Sequence, residues 1–201
     1  MNLLVIRHGQ SEADILEVME GRADYSLTEL GIEQAQLMAD WVAKNYKIDK
    51  ILASPLKRAS QTADILSKRT GIAVIRDDDL MEWQNGIIAG MPREEARVKY
   101  PRPEPKYPHT VMYEQESDIQ FRMRAETALS KILNENPAES TIAVISHGGL
   151  IGQLFNSFLR LPVTSNSVYL QSGDTAVHEW RADGNSRGII HVNLQKHLDR
   201  I

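Results

Sequence analysis

Short apolar runs alternate with longer segments of helical period along this chain. Residues 3–6, 51–53, 72–75 and 141–145 are too brief to be helices, and they read as strands buried on both faces. Between the first two, Ser26 and Thr28 are both plausible caps for a helix reaching about residue 46, with Leu30, Leu37, Met38, Trp41 and Val42 on its inner face. Ser54-Pro55 pairs an N-cap with proline at the first helical position, and Gly71 stops that helix. Residues 117–135 carry an apolar stripe of Phe121, Ala125, Leu129, Ile132 and Leu133. Leu150, Ile151, Leu154, Phe155, Phe158 and Leu159 mark a further helix, with Pro162 beyond its end. Three strand-like segments close the chain, at 167–170, 176–180 and 189–194, with a turn at Asp183-Gly184-Asn185 between the last two. Strand–helix alternation of this kind predicts an α/β fold, a three-layer α/β/α sandwich with a mostly parallel central sheet.

One stretch breaks the pattern. Residues 82–116 hold Pro101, Pro103, Pro105 and Pro108, half of the eight prolines, and cannot be a regular helix or central strand. They predict an irregular insertion over the surface, either a lid or a connector. The length of 201 residues fits one domain, 1–201, carrying that insertion.

Net charge is −4, which argues against a general nucleic-acid or polyanionic-membrane binder but permits an anionic substrate held by local positive charge. The absence of cysteine excludes disulfides, thiolate chemistry and cysteine metal sites. The apolar run before Arg7 is too short for a signal peptide, and nowhere is there a run able to span a bilayer. A soluble cytoplasmic protein is the expectation. The sequence does not speak to oligomeric state.

Two of the strands end in histidine-glycine: Arg7-His8-Gly9-Gln10-Ser11 and Ser146-His147-Gly148-Gly149. In parallel α/β sheets, sites gather at the carboxyl ends of strands, so both imidazoles are expected on one rim. Glycine after each histidine permits a tight turn and close approach of backbone to a ligand. The helix after Gly149 presents N-terminal amides that favour an anion. Arg58, in the first turn after Ser54-Pro55, can reach the same rim with a planar fork suited to phosphate oxygens. Arg7, Arg58, His8 and His147 could then converge around one tetrahedral dianion, two arginines and one histidine supplying charge and a neutral histidine the nucleophile. Glu82, at the edge of the irregular region, is the candidate proton donor to the leaving oxygen. Arg22 is either a pocket-entrance residue or a solvated loop charge, and Trp83 either a substrate contact or a packing residue.

Arg7-His8-Gly9 resembles the signature of the histidine phosphatase superfamily, the phosphoglycerate-mutase-like family. The likeness continues through Gly21-Arg22, Leu27-Thr28-Glu29-Leu30-Gly31, Gln34-Ala35, Ser54-Pro55-Leu56-Lys57-Arg58-Ala59 and Gln61-Thr62-Ala63. It resumes at Glu82 with Gly86, at Ser146-His147-Gly148-Gly149, and weakly at Asn193 with His197-Leu198. The resemblance implies that His8 is phosphorylated, that Arg7, Arg58 and His147 form the phosphate pocket, and that Glu82 is the acid. It implies no metal and no cofactor, and a small phosphorylated substrate; Ser11, Asp14, Gly21 and Arg22 fall where substrate contacts are expected.

Two departures stand out. Where the family often has asparagine six residues after the nucleophile, this chain has Asp14, whose carboxylate would repel phosphate and suits instead an arginine or a substrate hydroxyl. Where many members carry Trp-Glu-Gly after the acid, this chain has Ile88-Ala89-Gly90. The expected activity is a metal-independent phosphomonoesterase acting through phosphohistidine. The alternatives are a cofactor-dependent phosphoglycerate mutase and a non-catalytic phosphate-binding module.

Overall fold

The computed structural model describes residues 1–102, 104, 107–163 and 168–199. Six strands form one sheet: β1 (Asn2–Arg7), β2 (Lys50–Ala53), β3 (Val74–Arg76), β4 (Thr141–Ser146), β5 (Val177–Asp183) and β6 (Ser186–Leu194). Their order is β3-β2-β4-β1-β5-β6. β1, β2, β3 and β4 run parallel, while β5 lies antiparallel to β1 and closes a hairpin with β6 through Gly184-Asn185.

Side chains alternate along each strand and so divide between two cores. Leu4, Ile6, Ile51, Ala53, Ala143 and Ile145 pack under α2 (Glu29–Asn45) and α3 (Lys57–Thr70), meeting Met38, Val42, Ala63 and Leu66. Leu3, Val5, Ile142 and Val144 face the other way, under α5 (Asp118–Asn134) and α6 (Gly148–Phe158), against Phe121, Leu129, Leu154 and Phe158. This is the expected layering, helices on both faces of a mostly parallel sheet. Two short helices, α1 (Glu12–Leu16) and α4 (Arg93–Lys99), lie outside it. Among the described residues, no helix is long and apolar enough to cross a membrane.

The differences from the sequence reading have local causes. α1 forms inside the expected polar loop; it has only five residues, and Ile15 and Leu16 are exposed, so no apolar period betrays it. α2 is capped by Thr28, whose hydroxyl accepts from the Gly31 N–H, and its inner face turns toward Gly31, Gln34 and Ala35 while Leu30 faces out. α3 begins at Lys57, two residues later than Ser54-Pro55 suggested. Leu159 falls beyond the end of α6. The segment 168–170 is not a strand, and Ser167 lies outside the described residues. The insertion contains α4, which fits between its glycines and the proline run. Its chain is pinned by backbone bonds to the loop after α1: the Met19 N–H donates to Met91, the Gly90 N–H to Met19, and the Arg93 N–H to Glu17.

Candidate active site

β1 and β4 are direct neighbours in register, with Arg7 opposite Ser146. The following residues, His8 and His147, therefore leave the sheet side by side, both buried, with ring centroids 5.0 Å apart. Gly9 is required here for a protein contact: a Cβ on it would meet the Gly31 carbonyl of α2 at 2.5 Å.

The tautomer of His8 follows from its neighbours. Nδ1 lies 2.7 Å from the Gly9 carbonyl, which can only accept, so Nδ1 carries the hydrogen. Nε2 then presents its lone pair and accepts from Arg58 Nε at 3.2 Å. His147 Nε2 lies 2.8 Å from Ser54 Oγ. The Ser54 oxygen also accepts the Leu56 N–H, and His147 Nδ1 is a buried atom with no protein partner. Burial, followed by the charge of Arg58, holds both imidazoles well below the usual 6.5, so both are neutral near pH 7.

Arg58 is fully buried. One terminal nitrogen donates to the Gly21 carbonyl at 2.7 Å and the other to Ala23 at 3.1 Å, which aims Nε at His8. Arg7 is steered from the far edge of the sheet: Nη1 donates to the Ser172 carbonyl at 2.7 Å and Nη2 lies 3.4 Å from Asp174. Its Nε is buried and without a partner.

Glu82 reaches the N-terminus of α6. Its carboxylate accepts the N–H groups of Gly149 at 2.9 Å, Leu150 at 3.1 Å and Trp83 at 2.9 Å. The anion expected at those amides is thus this side chain. Gly149 makes the approach possible, since a Cβ there would stand 2.5 Å from Glu82 Oε1. The Glu82 carbonyl is gripped by Arg22 Nε at 3.2 Å and Arg124 Nη2 at 3.1 Å. Arg124 also holds the Glu116 carboxylate at 2.6 Å. Arg22 is therefore a braced residue with a quarter of its side chain exposed, not a free loop charge. Trp83 packs edge-on against Phe121. Nearby, Arg22, Gln84, Val111, Glu114, Glu116 and Gln120 line a cleft of about 360 Å³.

A second acidic group went unnoticed in the sequence. Glu20 Oε1 lies 3.1 Å from Arg58 Nε and accepts the Ser11 hydroxyl at 2.6 Å. Asp14 accepts the N–H and lies within reach of the hydroxyl of that same Ser11, both at 2.9 Å. Gly21, expected as a substrate contact, presses against the Asn85 amide and lends its carbonyl to Arg58. Ser54, Glu116, Arg124 and Asp174 also escaped the sequence reading; Ser54 alone carried a signal, read there as a helix cap. Among the described residues, no three His, Asp or Glu side chains gather as a metal site.

A family model for the histidine phosphatase superfamily, branch 1, matches residues 3–195. The chain belongs to that superfamily. Phosphatase PhoE of Bacillus subtilis, itself uncharacterized, is 30% identical over 75% of this chain and 73% of its own length. Phosphoglycerate mutase-like protein 4 of Arabidopsis thaliana is 31% identical over 76% of this chain and 69% of its own. Among solved structures, a mycobacterial glucosyl-3-phosphoglycerate phosphatase in complex with VO3 superimposes with a TM-score of 0.84 at 26% identity, covering 96% of this chain and 98% of that one. The α-ribazole phosphatase of Shigella flexneri shares the fold at a TM-score of 0.88 and 22% identity, covering 97% of each chain. These relatives place the chain among superfamily members with phosphatase chemistry and imply a small phosphorylated substrate.

Proposed function

We propose that this chain is a phosphomonoesterase whose nucleophile is His8 Nε2. One observation carries the reading. A buried, neutral imidazole has its hydrogen fixed on Nδ1 by Gly9 and its lone pair aimed beside an arginine donor. Nε2 attacks phosphorus, and the bond to the ester oxygen breaks. Arg58, the unpartnered Arg7 Nε and His147 Nδ1 donate to the non-bridging oxygens. Glu82 enters the step having taken a proton from solvent, gives that proton to the departing alkoxide, regains one from the incoming water, and so returns His8 and inorganic phosphate. No step calls for a metal. Residues 1–201 act as one domain in this reading, with the 82–116 insertion walling the leaving-group side.

The test is direct. Incubation with a phosphorylated substrate, followed by alkaline and acid quenches, should reveal acid-labile, base-stable phosphate on His8. Vanadate should inhibit, and exhaustive chelation should leave turnover unchanged. Activity lost to EDTA and restored by a divalent ion would overturn the mechanism.

The mutase reading is supported by the names of two kinds of relative, the mutase-like protein of Arabidopsis thaliana and the probable phosphoglycerate mutase GpmB of Yersinia pestis. Against it stands the charge around the pocket. Asp14, Glu20 and Asp174 lie close enough to the two arginines to influence them, and Glu114 and Glu116 line the adjoining cleft. A second anionic group on the substrate would be opposed there. Monoester hydrolysis without a bisphosphate primer supports the phosphatase. Rapid 3- to 2-phosphoglycerate interconversion with little phosphate released would support the mutase.

A further inference from the structure

Arg58 Nε is shared between two acceptors, His8 Nε2 at 3.2 Å and Glu20 Oε1 at 3.1 Å. A phosphoryl group delivered to Nε2 must bring its oxygens to that same N–H. An ionised carboxylate beside it would repel them. Glu20 therefore occupies the pocket in the ligand-free protein as a resident anion.

The surroundings give that carboxylate a way to lose its charge. Ser11 Oγ lies 2.6 Å from Glu20 and 2.9 Å from Asp14 Oδ2. A hydroxyl has one proton, so only one of the two carboxylates can accept it at a time. With Glu20 ionised, the hydroxyl points to Glu20, and Asp14 keeps the Ser11 N–H. With Glu20 protonated, Glu20 donates to the Ser11 oxygen, and the hydroxyl turns to Asp14. The protonated state fills both oxygen–oxygen contacts of the triad, whereas the ionised state fills only the one to Glu20, so protonation orphans no buried group and adds one hydrogen bond.

We infer that Glu20 takes up one proton from solvent when a tetrahedral oxyanion enters the pocket, with Ser11 swinging its hydroxyl from Glu20 to Asp14. The anion replaces Glu20 at Arg58 Nε. One proton is gained, and no covalent bond other than the new O–H of Glu20 is formed. The charged and titratable groups facing Glu20 are Arg58 from α3, Arg7 from the end of β1, and Asp14 from α1. Arg58 also gathers the fields of Glu82, Asp24 and Asp14. Burial pushes the Glu20 carboxyl up, opposed by Arg58 and by the Ser11 hydrogen bond and seconded by Asp14. When the anion takes Arg58, the largest opposing influence is withdrawn. Glu20 is thus a positioning residue for phosphate entry, and it makes binding acid-favoured. The inference rests on the phosphate-pocket reading above.

Calorimetric titration with tungstate tests it, because tungstate stays a dianion at neutral pH and brings no titration of its own. Measurements at pH 7.5 in buffers of different ionisation enthalpy give the protons taken up per tungstate bound. Wild type should take up about one proton more than Glu20→Gln, whose remaining uptake belongs to His8, His147 and Asp174. The amide variant should bind tungstate about tenfold more tightly at that pH and lose the corresponding pH slope. Equal proton uptake in the two proteins overturns the inference. Absence of tungstate binding to wild type overturns the phosphate-pocket reading and the inference with it. If Glu20→Gln lacks the native circular dichroism, Ser11→Ala decides. Without the hydroxyl, a protonated Glu20 has no Ser11 oxygen to donate to, so uptake must fall below wild type; unchanged uptake overturns the inference.

Discussion

The rim at the ends of β1 and β4 and the insertion at 82–116 are built by opposite means. At the rim, sheet register does the positioning. Arg7 pairs with Ser146, and the two residues beyond them, His8 and His147, have no freedom to be elsewhere. In the insertion, register is absent, and side chains grip backbone: Arg124 holds the carbonyls of Asp79, Met81 and Glu82, and Arg22 holds Glu82 again. Glu82 belongs to both regions, because its carboxylate caps α6 at the rim. His8, the proposed nucleophile, is fixed by the sheet, whereas Glu82, the proposed acid, depends on long side chains reaching across from α5 and the loop after α1.

Breaking the rim should have the largest effect. His8→Ala should lower turnover of nitrophenyl phosphate by roughly 10⁴-fold or more and abolish covalent labelling, with circular dichroism unchanged. Retained phosphohistidine in that variant would remove His8 from its role. Glu82→Gln comes next. In single-turnover phosphorylation it should slow an alkyl phosphate by about 10²- to 10³-fold and nitrophenyl phosphate far less, since a phenolate leaves with little help. Equal slowing of both substrates would mean that another group is the acid.

Third comes acid sensitivity, to which His8 and His147 at the rim contribute along with His178 on β5 and His197 in the turn after β6. Burial pushes His178 and His197 down to about 4. The unfolded chain protonates these side chains below about 6.5, whereas the folded protein resists until about 4. Stability is therefore full above pH 6.5 and falls as pH drops toward 4, by up to roughly 3 kcal/mol for each histidine. Urea unfolding at pH 7 and pH 5 measures this, and His178→Asn should flatten the dependence; an unchanged slope would place the loss elsewhere. The smallest effect is expected on α4. Lys99→Ala removes an exposed pair with Glu95 and should leave the urea midpoint almost unchanged. A larger loss would mean that α4 braces the insertion.

Legibility in the sequence followed the same division. His8, His147 and Arg58 were readable because each stands at a fixed offset from an apolar run or a helix start. Glu82 was found only as a carboxyl in the right neighbourhood, and its tie to Gly149 and Leu150 was not foreseeable. Arg124 looked like any polar position on α5, yet it braces the acid's backbone. Ser172 and Asp174 sit in a loop with no period, and their tie to Arg7 exists only because β5 adds antiparallel to β1. Glu20 was hidden for a different reason. Nothing in local pattern marks a carboxylate that folds back onto an arginine supplied by α3. The helix faces were predicted well where large apolar residues dominated, as along α5. They were misread at the start of α2, where Gly31 and Ala35 carry the packing.

The pairing of β1 with β4 has a consequence for how the chain acquires activity. The two strands meet across most of the sequence, and contacts so distant form late during folding, after the intervening loop has been closed. His8 has no second histidine beside it until β4 has inserted between β1 and β2. On the phosphatase proposal, a half-folded chain therefore lacks half of its phosphate pocket, and turnover should begin only when the central strand is in place.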